Sequence, residues 1–204
     1  MKKNIKQILM LTMVCIMGFS SLLKAQTTYK INESKDMDMK LSGTSTLHKW
    51  TMEAKTFSGG GVFNFKGGSS GELISVKSLT FSLEVANLKS DESGLNKNAY
   101  KALKTNQYKD IDYKLLSAII SPSKDNKYLV KAHGNLTIAG VTKEIDMDVW
   151  CTVNPDKTIT CTGSEKLNMT DYAVKPPTFM LGAMKTGDSI TLDFTLVYKK
   201  QAGV

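Results

Sequence analysis

Apolar and polar residues alternate with a period of two over several stretches of the chain. Leu79, Phe81, Leu83 and Val85 are interleaved with Thr80, Ser82 and Glu84, and Ile145, Met147 and Val149 with Glu144, Asp146 and Asp148. A third run sets Ile190, Leu192, Phe194 and Leu196 against Thr191, Asp193 and Thr195. Successive strand side chains point to opposite faces, so each run predicts a strand with one wet and one dry face. Weaker alternation predicts strands about Met37 to Ser42, Thr46 to Lys55, Gly61 to Lys66, Tyr113 to Ile120, Tyr128 to Ile138 and Thr158 to Met169. Turn-forming residues separate them at Gly59 to Gly61, Gly67 to Gly71, Pro122 to Asn126, Ala139 to Gly140, Asn154 to Lys157 and Thr186 to Asp188. So many short strands with so little helical patterning predict an all-β sandwich or barrel.

Two segments break the alternation. From Ser93 to Lys104 the apolar residues Leu95, Ala99, Ala102 and Leu103 recur at helical spacing, with Lys97, Lys101 and Lys104 on another face. This predicts a short amphipathic helix with Ser93 as its N-cap. The lysines form a solvated face or greet an anionic head group in a transient membrane-surface contact. The stretch Ala173 to Met184 contains Pro176 and Pro177, which exclude a central strand, followed by Phe179, Met180 and Leu181. Apolar surface in such a loop has to cover something: it is either a lid over a cavity mouth or a plug in one end of a barrel.

The ends of the chain change the picture of charge and compartment. Lys2, Lys3 and Lys6 precede the apolar run Ile8 to Phe19, too short to span a bilayer, and Ala25 follows. This is the grammar of a secretory signal peptide over residues 1–25, leaving one domain over residues 26–204 in the periplasm or outside the cell. Cys15 lacks the small residues before it that lipoprotein processing needs. The formal charge of +8 includes four lysines of this leader, so the remainder carries 23 basic and 19 acidic side chains, a net of +4. Every basic residue is lysine. Without arginine's bidentate fork, and with lysines interspersed among acids, nucleic acid is not an expected partner.

Cys151 and Cys161 flank the Asn154 to Lys157 turn and would face each other across a hairpin. In an oxidising envelope they either pair or remain buried thiols. No Cys or His lies near them in sequence, so a metal site is not expected.

The segment Gly134, Asn135, Leu136, Thr137, Ile138, Ala139, Gly140, Val141, Thr142, Lys143, Glu144 and Ile145 is similar to a hairpin of the YceI-like family of secreted bacterial polyisoprenoid-binding proteins. His48, the set Gly61, Phe63, Phe65 and Gly67, and the mid-chain helix add to a resemblance running from about Tyr29 to Lys200. It implies an antiparallel eight-stranded lipocalin-like β-barrel around an elongated cavity that takes an isoprenoid or similar lipid. Many relatives begin the helix with Arg-Asp-x-His-Leu, where this chain has Asn96, Lys97, Asn98, Ala99 and Tyr100, so any polar contact made there differs.

The alternation turns Phe63, Phe65, Phe81, Leu83, Ile138 and Phe194 inward, as a lined cavity or a solid core both require. Trp50 and, by alternation, His48 share a face; Leu103 lies on the apolar side of the helix, and Phe179 and Met180 sit in the proline-rich loop. These residues are the expected cavity lining. His133 alternates outward. Two histidines, no CxxC, no HExxH and no Gly-x-Ser-x-Gly turn offer no recognisable catalytic set, and no cofactor is expected. The Asp36/Asp38 and Asp146/Asp148 pairs fall on polar strand faces. Three functions follow in order: a lipid carrier in the cell envelope, a filled barrel acting through its surface in interaction or stress response, and an enzyme. The oligomeric state, monomer or dimer, is open at this level.

Overall fold

The computed structural model describes residues 27–32, 37–67, 71–179 and 182–201. In chain order the elements are β1 (Thr27–Ile31), β2 (Asp38–Ser45), β3 (Lys49–Ala54), β4 (Ser58–Lys66), β5 (Glu72–Glu84), α1 (Ser93–Ala102), β6 (Asp110–Pro122), β7 (Lys127–Ile138), β8 (Val141–Val153), β9 (Ile159–Asn168), β10 (Thr178–Phe179) and β11 (Met184–Lys200). Short 3₁₀ turns occupy Val85–Asn87 and Met169–Tyr172. The leader expected over residues 1–25 lies outside the described residues. Among the described residues no helix is long and apolar enough to cross a membrane.

The strands pair antiparallel and close into an eight-membered ring, β1-β4-β5-β6-β7-β8-β9-β11 and back to β1. Closure removes the exposed sheet edges that would otherwise recruit other chains. The length of β11 makes a second feature possible. One edge pairs with β9 from Ser189 to Tyr198, while the other is shared by β2, at Thr186 to Thr195, and β1, at Tyr198 to Lys200. The β2–β3 hairpin therefore extends beyond the ring. It is tied back by a two-way backbone pairing of Glu53 with Lys89, with N···O distances of 2.7 and 2.8 Å.

Alternation places most strands correctly, and the differences have local causes. The short β1 was not expected, because its five residues hold too few apolar positions to show a period. Gly59 to Gly61 form no turn. They lie inside β4, where a Cβ on Gly60 would come 2.6 Å from the Tyr29 carbonyl oxygen and one on Gly61 2.7 Å from that of Ser78. Glycine is used there for close approach of three backbones. Thr186 to Asp188 form a register shift within β11 instead of a turn. Ala139 and Gly140 make the expected two-residue hairpin turn, both with positive φ (50° and 81°), as a type I′ turn requires.

The helix spans Ser93–Ala102, but Ser93 is its first residue and not its cap. Asn96 does the local bonding instead: its Oδ1 accepts from the Ser90 amide at 2.7 Å, and its Nδ2 donates to the Ser90 carbonyl at 2.8 Å. Tyr100 Oη donates toward the Ala86 and Leu88 carbonyls at 3.1 and 3.0 Å, fixing α1 to the segment after β5. Leu95, Ala99 and Ala102 pack inward, and Lys97, Lys101 and Lys104 are exposed.

Candidate functional site

The dry faces of the ring enclose a hollow. At the end carrying the β6–β7 and β8–β9 turns, Tyr29, Leu73, Tyr128 and Ile159 pack into a floor, with Tyr29 and Ile159 at zero exposure. The rings of Tyr29 and Phe63 meet edge to face at 5.2 Å, and Phe65 lies against Tyr29 at 6.1 Å. Above this layer the interior is not filled. A cavity of about 160 Å³, traced by the centre of a water-sized sphere, lies within about 1270 Å³ of atom-free space that is partly open to solvent. One water needs only about 10–15 Å³ on that measure, so the hollow is on the order of ten waters in size.

Phe63, Phe81, Leu83, Ile138 and Phe194, which the alternation turns inward, line this cavity, and so does Leu103 from the apolar side of the helical segment. Leu79, Ile111, Tyr113, Met147 and Leu192 do so too, and follow from the same period. Cys151 and Cys161 are joined by a disulfide across the β8–β9 pair, with Cα atoms 4.2 Å apart, and form part of the wall. Two glycines shape the wall by admitting a neighbour's ring: Tyr113 packs onto Gly134 and Phe194 onto Gly163.

Two expected lining residues, His48 and Phe65, sit elsewhere. His48 is exposed in the β2–β3 turn, its Nδ1 2.7 Å from the Lys49 carbonyl oxygen, because Thr46 to His48 leave the strand and the alternation assumed for them does not apply. Phe65 belongs to the packing around Tyr29 and not to the cavity wall. Phe179 is described by its backbone alone, paired with Met184, and Met180 lies outside the described residues. Outside the barrel, His133 lies 2.9 Å from Asp146 and 3.4 Å from Glu144 on the outer face. Among the described residues no three His, Cys, Asp or Glu gather as metal ligands.

At the α1 end a second space of about 90 Å³, here called the vestibule, adjoins the hollow. Leu41, Leu88, Leu103, Ile138 and Ile190 line both. Trp50 and Met52 from β3, Leu95, Asn98 and Ala99 from α1, Asn168 at the end of β9, and Met169 and Tyr172 after it also line the vestibule. Trp50 is held by its Nε1 donating to the Thr44 carbonyl at 3.1 Å. Its ring lies over Gly43, its register partner on β2.

Polar groups are sparse along this path. Among the described residues Glu165 is the one charged residue in the wall of the main cavity, and burial holds its carboxyl above the usual glutamate range, with Asp148 and Asp146 adding to the effect. Tyr113 and Tyr198, which line the cavity, and Tyr172, which lines the vestibule, bury their hydroxyls without a hydrogen-bond partner among the described residues. Burial pushes the phenols of Tyr113 and Tyr172 up to about 12, so both keep their protons. Sequence reasoning missed Glu165 and Tyr172. Glu165 shares the period of Cys161, Gly163 and Leu167 and so was legible as inward; Tyr172 lies in a 3₁₀ turn that no period announces.

Such a site can enclose an apolar chain. Comparison with known proteins agrees with this architecture. BcnA of Burkholderia cenocepacia superposes with a TM-score of 0.61 at 18% identity, covering 82% of this chain and 98% of its own. A domain from Saccharophagus degradans described as polyisoprenoid binding gives 0.63 at 14% identity, covering 85% and 98%. The YceI protein of Campylobacter jejuni gives 0.51 at 20% identity, covering 71% and 82%. No curated protein matches the sequence. The profile of the YceI-like domain matches residues 27–198, most of the chain, and on that ground the protein belongs to the YceI-like domain family.

Proposed function

We propose that this protein binds an isoprenoid-type lipid in the barrel cavity and carries or sequesters it in the cell envelope. The observation that carries the reading is the hollow itself, walled by leucine, isoleucine, valine and aromatic side chains and closed at one end. Apolar cavities of this kind stay dry, and each CH₂ moved into one from water is worth about 0.8 kcal/mol. Losses from ordering the ligand reduce that sum, so area does not set the affinity. The relative from Saccharophagus degradans is described as a polyisoprenoid-binding domain, and the charged, apolar start of the chain favours export. A filled barrel acting through its surface is disfavoured by the space above the Tyr29 floor.

The test is to delipidate the purified protein and titrate it with a fluorescent polyprenol analogue. Saturable binding is expected, weakened by Phe81→Trp or Phe194→Trp with modest change in melting, since the indole fills part of the cavity. If the wild type shows no saturable binding and both variants are strongly destabilised, the reading fails.

A further inference from the structure

The wall of the barrel is not equally knitted all round. β8 is paired with β7 from Val141 to Thr152 and β9 with β11 from Ile159 to Asn168, but β8 and β9 are paired with each other only where residues 149–153 meet residues 159–163. Beyond the last pair, Val149 with Gly163, residues 141–148 and 164–168 run on at the α1 end with no ladder between them. Backbone groups along such edges have no partner strand and turn to water, so hydrogen bonds do not seal this seam. Burial changes at the same place. On β8 the inward residues Val149, Cys151 and Val153 are buried, whereas Ile145 and Met147, past the last pair, are half-exposed. Both lips border the cavity, Ile145 and Met147 from β8 and Glu165 and Leu167 from β9. The 3₁₀ turn Met169–Tyr172 lies against both strands, so the open end of the seam is held by packing and not by a ladder. A second break differs in this respect. Pairing of β5 with β6 stops at Thr80 with Lys114, but there the inward residues on the two sides, Leu73, Val76 and Leu115, stay buried.

We propose that β8 and β9 part along this seam to let a lipid in and out, and that the disulfide between Cys151 and Cys161 is the stop that keeps the parting from running on to the floor. This rests on the carrier reading above and adds the route. A gate of this kind needs one length of wall that yields and one that does not. The yielding length is the seam, where no strand-to-strand hydrogen bond has to break. The fixed length is the short ladder below it, and the covalent link sits in the middle of its five pairs. Occupancy then decides how freely the lips move. With the cavity empty, parting bares little that water does not already reach. With a chain inside, parting exposes that chain together with Ile145, Met147 and Leu167, which is unfavourable in proportion to the apolar area uncovered. The bound lipid therefore holds the lips together.

The test is to bridge the lips. Asp146→Cys with Lys166→Cys puts thiols at two exposed positions that the β8–β9 register, continued past its last pair, sets opposite each other. A short bis-maleimide joins them while the native disulfide stays oxidised. Ser78→Cys with Leu116→Cys, joined in the same way across the β5–β6 break, is the control. In stopped flow with the fluorescent polyprenol analogue, the β8–β9 bridge is expected to slow association and release alike, by about tenfold, without weakening equilibrium binding. The control bridge should leave both rates unchanged. A β8–β9 bridge that leaves exchange of the analogue at the unbridged rate overturns the proposal, as does equal slowing by the control. Saturable binding in those cases keeps the carrier reading standing. Hydrogen exchange on the unmodified protein gives a reading that needs no variant. The seam-facing amides of residues 141–148 and 164–168 should exchange about tenfold faster without the analogue than with it, while those of residues 149–153 change little. Equal exchange in the two states overturns the gate. Failure of the unmodified protein to bind the analogue at all overturns the carrier reading and this proposal with it.

Discussion

Phe194 on β11 lies with its ring across the backbone of Gly163, the residue directly opposite it on β9. A Cβ at position 163 would meet Phe194 Cζ at 2.5 Å and Cε1 at 2.9 Å. The glycine is needed for the space it leaves, which lets the aromatic ring form part of the wall without filling the hollow. Gly163→Ala is therefore expected to push the ring into the cavity. Lipid affinity should fall while the barrel still folds, with a stability loss of about 1–3 kcal/mol, the usual range for overpacking. Analogue titration and urea unfolding of the variant check both parts.

The disulfide between Cys151 and Cys161 closes a loop with a sequence separation of 10. In the chain-entropy account, so short a loop contributes roughly 2–3 kcal/mol. Replacing both cysteines by alanine should lower stability by that amount in denaturant melts. Because both sulfurs line the cavity, the variant should also bind a bulkier chain than the wild type does. Thiol labelling of the denatured, unreduced wild type is expected to find neither cysteine reactive.

Tyr198 is 1% exposed and its hydroxyl has no partner among the described residues; burial holds that phenol well above its ordinary pKa. A buried unmet hydroxyl costs about 1–3 kcal/mol relative to one that is paired. Tyr198→Phe keeps the ring contact with Phe63 at 5.4 Å and removes the oxygen. It is expected to stabilise the protein by about 1 kcal/mol, read as a rise in melting temperature, with apolar-chain binding unchanged.

Glu165 supplies a pH dependence with a definite sign. Burial, followed by repulsion from Asp148 and Asp146, raises its folded-state pKa, so the folded protein holds this proton more tightly than the unfolded chain does. Its contribution to stability is fully present below the ordinary glutamate range and is lost as pH rises through the raised folded value. As pH rises from the ordinary glutamate range through the raised folded value, Glu165→Gln should flatten the fall in stability that the wild type shows. Its urea midpoint should exceed that of the wild type at the upper end only.

The barrel was legible in the sequence to the extent that alternation survives in each strand. Phe81, Leu83, Ile138 and Phe194 obey a simple period of two and line the cavity. His48 did not follow, because a turn interrupts the period one residue before β3, and hydrophobicity carries no mark of that break. Phe65 obeys the period yet packs into the floor, since depth along the barrel depends on strand stagger, which pattern alone does not encode. The choice between hollow and filled was equally hidden. The same inward-facing set serves both, and only the positions of Gly134 and Gly163 opposite large rings decide where side-chain volume goes.

The packed layer of Tyr29, Leu73, Tyr128 and Ile159 also acts as a ruler. On the carrier reading, a chain entering from the vestibule advances tail first until it meets that layer, and each carbon up to that depth adds its share of transfer free energy, about 0.8 kcal/mol per CH₂. Carbons beyond it remain in water near Trp50 and α1 and add little. Affinity should thus climb with chain length and then level off, and the length at which it levels is a distance between two ends of one protein, set by the number of residues in its strands.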